Sequence, residues 1–232
     1  MATDENINPE QYGLGRIALE DPHDFLMSAH LEEVGIPESL PVSKYYTPGP
    51  VLNQGQTSEC VGYSWKQFLA SSPIRQGQAL APHQVYCGAQ QNDPWEGDCT
   101  NPKYEGSTVR AGAKFLQQQG YLGPYFFSSH IADVSNWLLA NKGPVVFGTN
   151  WYNGMFQPDR HGQVHVDVNS GLAGGHAFLC IGYNSKTKLF RFVNSWGTGW
   201  GDKGRFWISE DDVQMLLNQR GEACTAVEIA HT

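Results

Sequence analysis

Three side chains in this sequence have types and positions suited to nucleophilic chemistry. Cys60 lies in "NQGQTSECVGYSW", where glycine and polar residues give way to apolar residues at 61, 65, 68 and 69, a helical spacing that begins at the cysteine. A helix N-terminus supplies positive potential that favours a thiolate, the reactive form of the side chain. A packed thiol, half of a disulfide and a nucleophile are the roles open to Cys60, and the last of these needs a base. His176, in "GGHAFLCIGY", follows two glycines and opens an apolar strand, a place better suited to a cleft wall than to a core. A third group must then fix the imidazole. Asn194, in "FVNSWGTGWGDKGRFWIS", stands at a strand end, with Trp196 and Trp200 placed to shield an Asn–His hydrogen bond from water.

The elements that must position these residues divide along the chain. Residues 1–45 are polar and weakly periodic and read as an N-terminal arm. Residues 46–135 read as mainly helical. "STVRAGAKFLQQQG" is a capped helix with Ser107 as N-cap and Gly120 as its stop, and "DVSNWLLANKG" repeats the design with Asp133 and Gly143. Residues 87–106 read as an irregular loop. After Pro144 the texture turns to β: "PVVFGTNW", "GHAFLCIGY", "KLFRFVNSW", "RFWISE" and finally "AVEI" are short aromatic and β-branched runs between glycine turns. A helical half followed by a β half (136–232) implies an α+β fold with a cleft between the halves, inside one domain at 46–232.

On these residues the chain resembles the papain-type cysteine peptidases. "NQG" followed by cysteine, "HAFLCIGY" and "NSWGTGWGDKGRFWI" occur in the family's order, across about residues 40–230. The resemblance implies a left helical subdomain and a right β-barrel-like subdomain. It makes Cys60 the nucleophile, His176 the base and Asn194 its orienter. Gln54, six residues before Cys60, becomes the side-chain donor to the oxyanion, together with the Cys60 N–H. A low-pKa Cys60 thiolate paired with protonated His176 is the form expected. Gly106, in "YEGSTVRAG", is expected to hydrogen-bond an extended substrate backbone, and Trp196 to border the same cleft. The family's usual "CGSCWAF" is "TSECVGY" here. Thr57 replaces a disulfide cysteine, and Glu59 places a carboxylate beside the nucleophile. Turned to solvent, Glu59 costs little; turned into the cleft, it favours a basic substrate residue. The arm either covers the cleft or completes the β half, and the second is favoured because it lacks the long helical pattern of the family's inhibitory segments.

Composition narrows the function classes. The chain has 232 residues, 40% of them hydrophobic, enough for one sizeable core, while 26 glycines and 13 prolines exclude an all-helical bundle. A net charge of −8 without Lys/Arg clusters argues against nucleic acid and anionic membranes as partners. No apolar run approaches the length of a membrane span, and the start of the chain shows no secretory signal, so a cytoplasmic site of synthesis is expected, with later release open. Of five cysteines, Cys87 and Cys99 are evenly balanced between free thiols and a disulfide, and Cys180 and Cys224 read as buried thiols. His161 and His165 read as a surface loop, so neither metal nor cofactor is expected. The leading function is an endopeptidase acting on peptides or proteins through an acyl-enzyme. Acyl transfer or isopeptide cleavage at the same site, and a non-catalytic peptide-binding or structural protein, are the alternatives.

Overall fold

In the computed structural model of the protein, which describes residues 9–76, 80–100 and 104–230, the helical spacing after Thr57 becomes helix α2 (Cys60–Ala70), with Cys60 its first residue. Two helices pack beside it. In α3 (Pro82–Gln90), proline takes the first helical position, where its missing N–H costs nothing. This helix occupies the first part of the expected 87–106 loop. In α4 (Val109–Gln118) the cap falls one residue later than expected: Thr108 accepts from the Ala111 N–H at 3.0 Å, while Ser107 donates its hydroxyl to Asp93 at 2.8 Å. Helix α5 (Ile131–Leu139) starts after His130, so Asp133 lies inside its first turn, where it accepts from the Ser128 hydroxyl at 2.7 Å.

Strands β3 (Val145–Tyr152), β4 (Leu172–Asn184), β5 (Leu189–Val193), β6 (Arg205–Ser209) and β7 (Glu222–Glu228) occupy the β runs of the second half. Two more come from the first half: β1 (Ser43–Tyr45) pairs with β4, and β2 (Leu122–Ser128) pairs with β7. The order is β2-β7-β3-β4-β5-β6 and every pairing is antiparallel. Because β2 and β6 end that order without pairing to each other, the sheet does not close into the expected barrel. Register sets aromatic pairs across it, Phe147 opposite Phe178 and Phe192 opposite Phe206, all fully buried. Each such ring contributes roughly 1.5–3 kcal/mol by burial. Helix α6 (Glu210–Asn218), absent from the sequence reading, caps on Ser209 and carries three acids in its first turn, which complement the helix dipole.

The arm is not merely extended. Helix α1 (Met27–Val34) buries Met27 and Leu31 and packs on β2 and α5. Ahead of it, Asp24 forms an ion pair with Arg110 on α4, and the Phe127 N–H donates to the Phe25 carbonyl at 2.8 Å. Among the described residues no helix is long and apolar enough to cross a membrane.

Candidate active site

Packing of α2 against β4 sets the head of the helix beside the strand that carries His176. The Ala177 N–H donates to Cys60 Sγ at 3.4 Å, so thiol and imidazole belong to adjacent positions of one buried spot. At the end of β5, Asn194 brings Oδ1 within 2.8 Å of His176 Nε2. The Ser195 N–H also donates to Asn194 Oδ1, at 2.8 Å, which identifies that atom as the oxygen. Oxygen accepts, so Nε2 carries the ring proton and Nδ1 keeps its lone pair. Nδ1 is buried and has no hydrogen-bond partner, the condition of a base held ready. Trp196 stacks on the ring at 4.6 Å between centroids, and Trp200 packs edge-on against Trp196 at 5.0 Å. The two indoles therefore screen the Asn194–His176 bond from water.

The other expected residues are placed less simply. Gln54 is buried, accepts from the Ser195 hydroxyl at 2.5 Å and donates to the Thr57 carbonyl at 2.6 Å. One amide N–H is thereby committed to the loop before Cys60. Glu59 has a side chain 14% exposed and bonded to His83 Nδ1 at 3.0 Å. Its carboxylate is thus engaged by α3 rather than offered to a substrate. Gly106 cannot pair with a substrate as expected, because its N–H donates to Tyr86 Oη (3.1 Å) and its carbonyl accepts from Gln90 (3.0 Å). The backbone groups open for pairing belong to Ser107, one residue later.

What Ser107 pairs with is the arm. The Ser107 N–H donates to the Gly15 carbonyl at 2.9 Å and its own carbonyl accepts from the Ile17 N–H at 2.8 Å. On the opposite wall, the Gly175 carbonyl, next to His176, accepts from the N–H groups of Gly15 and Arg16, both at 2.9 Å. Tyr12 packs on Trp196 at 4.8 Å, and Trp196 Nε1 donates to the Gly13 carbonyl at 3.0 Å. Residues 12–17 thus lie across the cleft, reversing the expectation that the arm only completes the β half; residues 24–34 do play that structural part. The glycines explain how so close a fit is reached. A Cβ on Gly15 (φ +135°) would stand 2.2 Å from the Ser58 carbonyl oxygen, and one on Gly106 2.1 Å from the Gly15 carbonyl oxygen.

Covering the cleft removes water from the site, and burial works against the expected ion pair there. Burial pushes the Cys60 thiol up to about 12, against the smaller pull of the Ala177 N–H. Burial likewise pushes His176 down to about 4, with its Asn194 bond opposing. Burial thus favours the neutral form of both groups beneath the arm. The covered pair holds one proton, on Cys60 Sγ, and an open thiolate–imidazolium pair would also hold one, on His176, so opening takes up no net proton while the covered His176 stays neutral above about 4. Labelling of Cys60 by an epoxide should therefore keep a level rate as pH falls from about 6.5 towards about 4. A rate that falls about tenfold per pH unit across this window, as for a free thiol at about 8.5, would contradict the pairing.

Comparison with known proteins agrees with this geometry. The family described as papain family cysteine protease matches residues 54–225. A cathepsin B-like cysteine proteinase 3 of Ostertagia ostertagi is 27% identical over 51% of this chain and 71% of its own length. Cysteine proteinase 3 of Entamoeba histolytica is 33% identical over 34% of this chain, although only 26% of that relative is spanned. In fold, the chain is similar to xylellain, a cysteine protease from Xylella fastidiosa, with a TM-score of 0.71 and 19% identity over 95% of this chain and 97% of that one. Bromelain from Ananas comosus, solved with the E64 inhibitor, gives a TM-score of 0.59 and 15% identity over 82% of this chain and all of its own. With the match covering most of its length, this chain belongs to the papain family of cysteine proteases.

Proposed function

We propose that the chain is a cysteine endopeptidase whose catalytic part, residues 46–232, is held closed by an N-terminal arm, residues 1–45. The observation that carries this reading is the fixed tautomer of His176: Asn194 and Ser195 leave Nδ1 as an unpartnered base beside a thiol at a helix N-terminus. With the cleft open, His176 Nδ1 takes the proton of Cys60 and Sγ attacks the peptide carbonyl carbon. The oxygen gains negative charge, met by the free amide N–H of Gln54 and the Cys60 N–H at the helix start. His176 then gives its proton to the departing amine, leaving a thioester on Cys60. Water, deprotonated by the same nitrogen, releases the acid and restores the thiol. Trp196 borders the cleft and holds the imidazole plane. The substrate is an extended peptide, supported by the backbone pairing that Ser107 and Gly175 already offer to the arm. The disulfide between Cys87 and Cys99 supports an oxidising working compartment rather than the reducing cytoplasm.

Hydrolysis of fluorogenic peptide amides tests the reading, with a burst of the first product as the sign of the thioester. In that assay Gln54→Ala should lower kcat on the order of 10²–10³-fold, the worth of one oxyanion donor. An unchanged kcat would remove Gln54 from the machinery.

A further inference from the structure

Outside the catalytic residues, one cluster carries chemistry that peptide hydrolysis does not use. Among the described residues a single group of three possible metal ligands is close enough to share an ion. It consists of His83, Cys87 and Cys99, whose ligand atoms all lie within 4.8 Å of one another. His83 and Cys87 stand four residues apart on α3 and so share one face of the helix. Cys99 joins them from a turn in the loop that follows, bonded to Cys87 as a disulfide.

His83 is already set up as a ligand. Its Nδ1 donates to Glu59 Oε1 at 3.0 Å, since a carboxylate can only accept. In the neutral ring Nε2 then keeps its lone pair, and that atom lies 3.4 Å from Cys87 Sγ. A carboxylate on one imidazole nitrogen, with the other nitrogen facing the metal, is the usual support of a zinc histidine. With bonds of about 2.0 Å to nitrogen and about 2.3 Å to sulfur, tetrahedral zinc sets those two ligands about 3.5 Å apart. The Nε2–Sγ distance matches that edge. Glu59 is 14% exposed, whereas the His83 side chain is 61% exposed and both sulfurs are half-buried. Solutes therefore reach the ligands more readily than the carboxylate that orients the ring. Two thiolates and an imidazole suit zinc and exclude magnesium or calcium, which take oxygen ligands.

We propose that reduction of the Cys87–Cys99 disulfide turns this cluster into a zinc site, with Glu59 as the residue that positions its histidine. A dithiol supplies two electrons and two protons: its sulfurs join as a disulfide, the Cys87–Cys99 bond breaks, and two thiols form. Zinc then displaces both thiol protons and binds Cys87 Sγ, Cys99 Sγ and His83 Nε2, with water in the fourth position. The two thiolates balance the charge of the ion. Zinc takes over from the disulfide the tie between α3 and the loop, whose Asp93 accepts from the Ser107 hydroxyl on the cleft wall. That wall is thereby held in oxidising and in reducing surroundings alike.

The test uses the full chain carrying Cys60→Ala, so that the catalytic thiol and His176 do not take the ion together. Oxidised protein is compared with protein reduced by a phosphine, which takes the oxygen of one water as the disulfide becomes two thiols and is removed before metal is added. Zinc chloride is the probe, read as bound zinc after equilibrium dialysis and as a shift in Tm. Cobalt(II) replaces it to reveal thiolate-to-metal absorption. The reduced chain should hold one zinc and gain about 5–10 °C in Tm at a hundredfold excess over Kd, and the oxidised chain should do neither. Cys99→Ser and His83→Ala should each weaken zinc binding to the reduced protein by at least about tenfold, and Glu59→Ala by about tenfold. Equal binding before and after reduction, binding undiminished by Cys99→Ser, or no bound zinc overturns the proposal. So does a reduced chain that stays unfolded with zinc present, because the site needs α3 intact. None of these readouts involves hydrolysis, so each leaves the peptidase reading as it stands.

Discussion

Replacing Cys60 with alanine is expected to reduce peptide turnover on the order of 10⁵–10⁶-fold, because a nucleophile and its base act as one unit. His176→Ala should cost a similar amount, and the double variant little more. That non-additivity separates a catalytic pair from two residues that merely stabilise the fold. Asn194→Ala belongs in the same series with a smaller loss, on the order of 10²–10⁴-fold. It removes the acceptor that fixes the ring proton on Nε2 but leaves the Nδ1 lone pair available in part of the molecules. Initial rates on one fluorogenic amide, with thermal unfolding as a control for folding, check the order. Wild-type turnover in Cys60→Ala would exclude the assignment.

The second large effect is a gain. Gly15→Val is expected to raise kcat/KM for a small peptide by roughly 10–100-fold, the equivalent of about 1–3 kcal/mol of strain loaded onto the covered state. The new side chain would meet the Ser58 carbonyl oxygen and force a β-branched residue to a φ of +135°. Relief comes from releasing residues 12–17, while the arm beyond them stays anchored through Asp24 and Arg110 and through buried Met27 and Leu31. Truncation of residues 1–38 should behave differently. It opens the cleft but also empties the sites of two core side chains, each worth about 2–5 kcal/mol, so its melting temperature should fall well below that of Gly15→Val. Equal activity of wild type and Gly15→Val at equal concentration would mean that residues 12–17 do not obstruct the site.

How much of this was legible in the sequence depends on how local each signal is. Cys60 heads an amphipathic helix, His176 heads an apolar strand and Asn194 sits among tryptophans, so each announced itself within about ten residues of context. The runs that became β3 to β7 were readable for the same reason, as aromatic and β-branched stretches between glycine turns. Helix α6 carries comparable signals: Ser209 ahead of three acids, with Val213, Leu216 and Leu217 at helical spacing. The misplaced caps at Ser107 and Asp133 show the limit of composition, because each residue is a good cap by type and is bonded elsewhere by tertiary contacts. Strand β2 was missed because its glycine, proline and aromatics earn a place in the sheet only through β7, a hundred residues away. The arm is the plainest case. Gly13 and Gly15 lie in a stretch that reads only as a weakly periodic arm, and it is the backbones of Thr57 and Ser58 beneath them that explain why they carry no side chain.

The central claim is that Cys60 is a nucleophile in a site covered by the arm. The most direct test is the rate of Cys60 modification by a peptidyl epoxide, read by intact mass and peptide mapping, in wild type and in Gly15→Val side by side. The account predicts a single adduct, on Cys60, forming about tenfold or more faster in Gly15→Val and absent from Cys60→Ala. Adducts on Cys180 or Cys224, or equal rates in the two proteins, would contradict it.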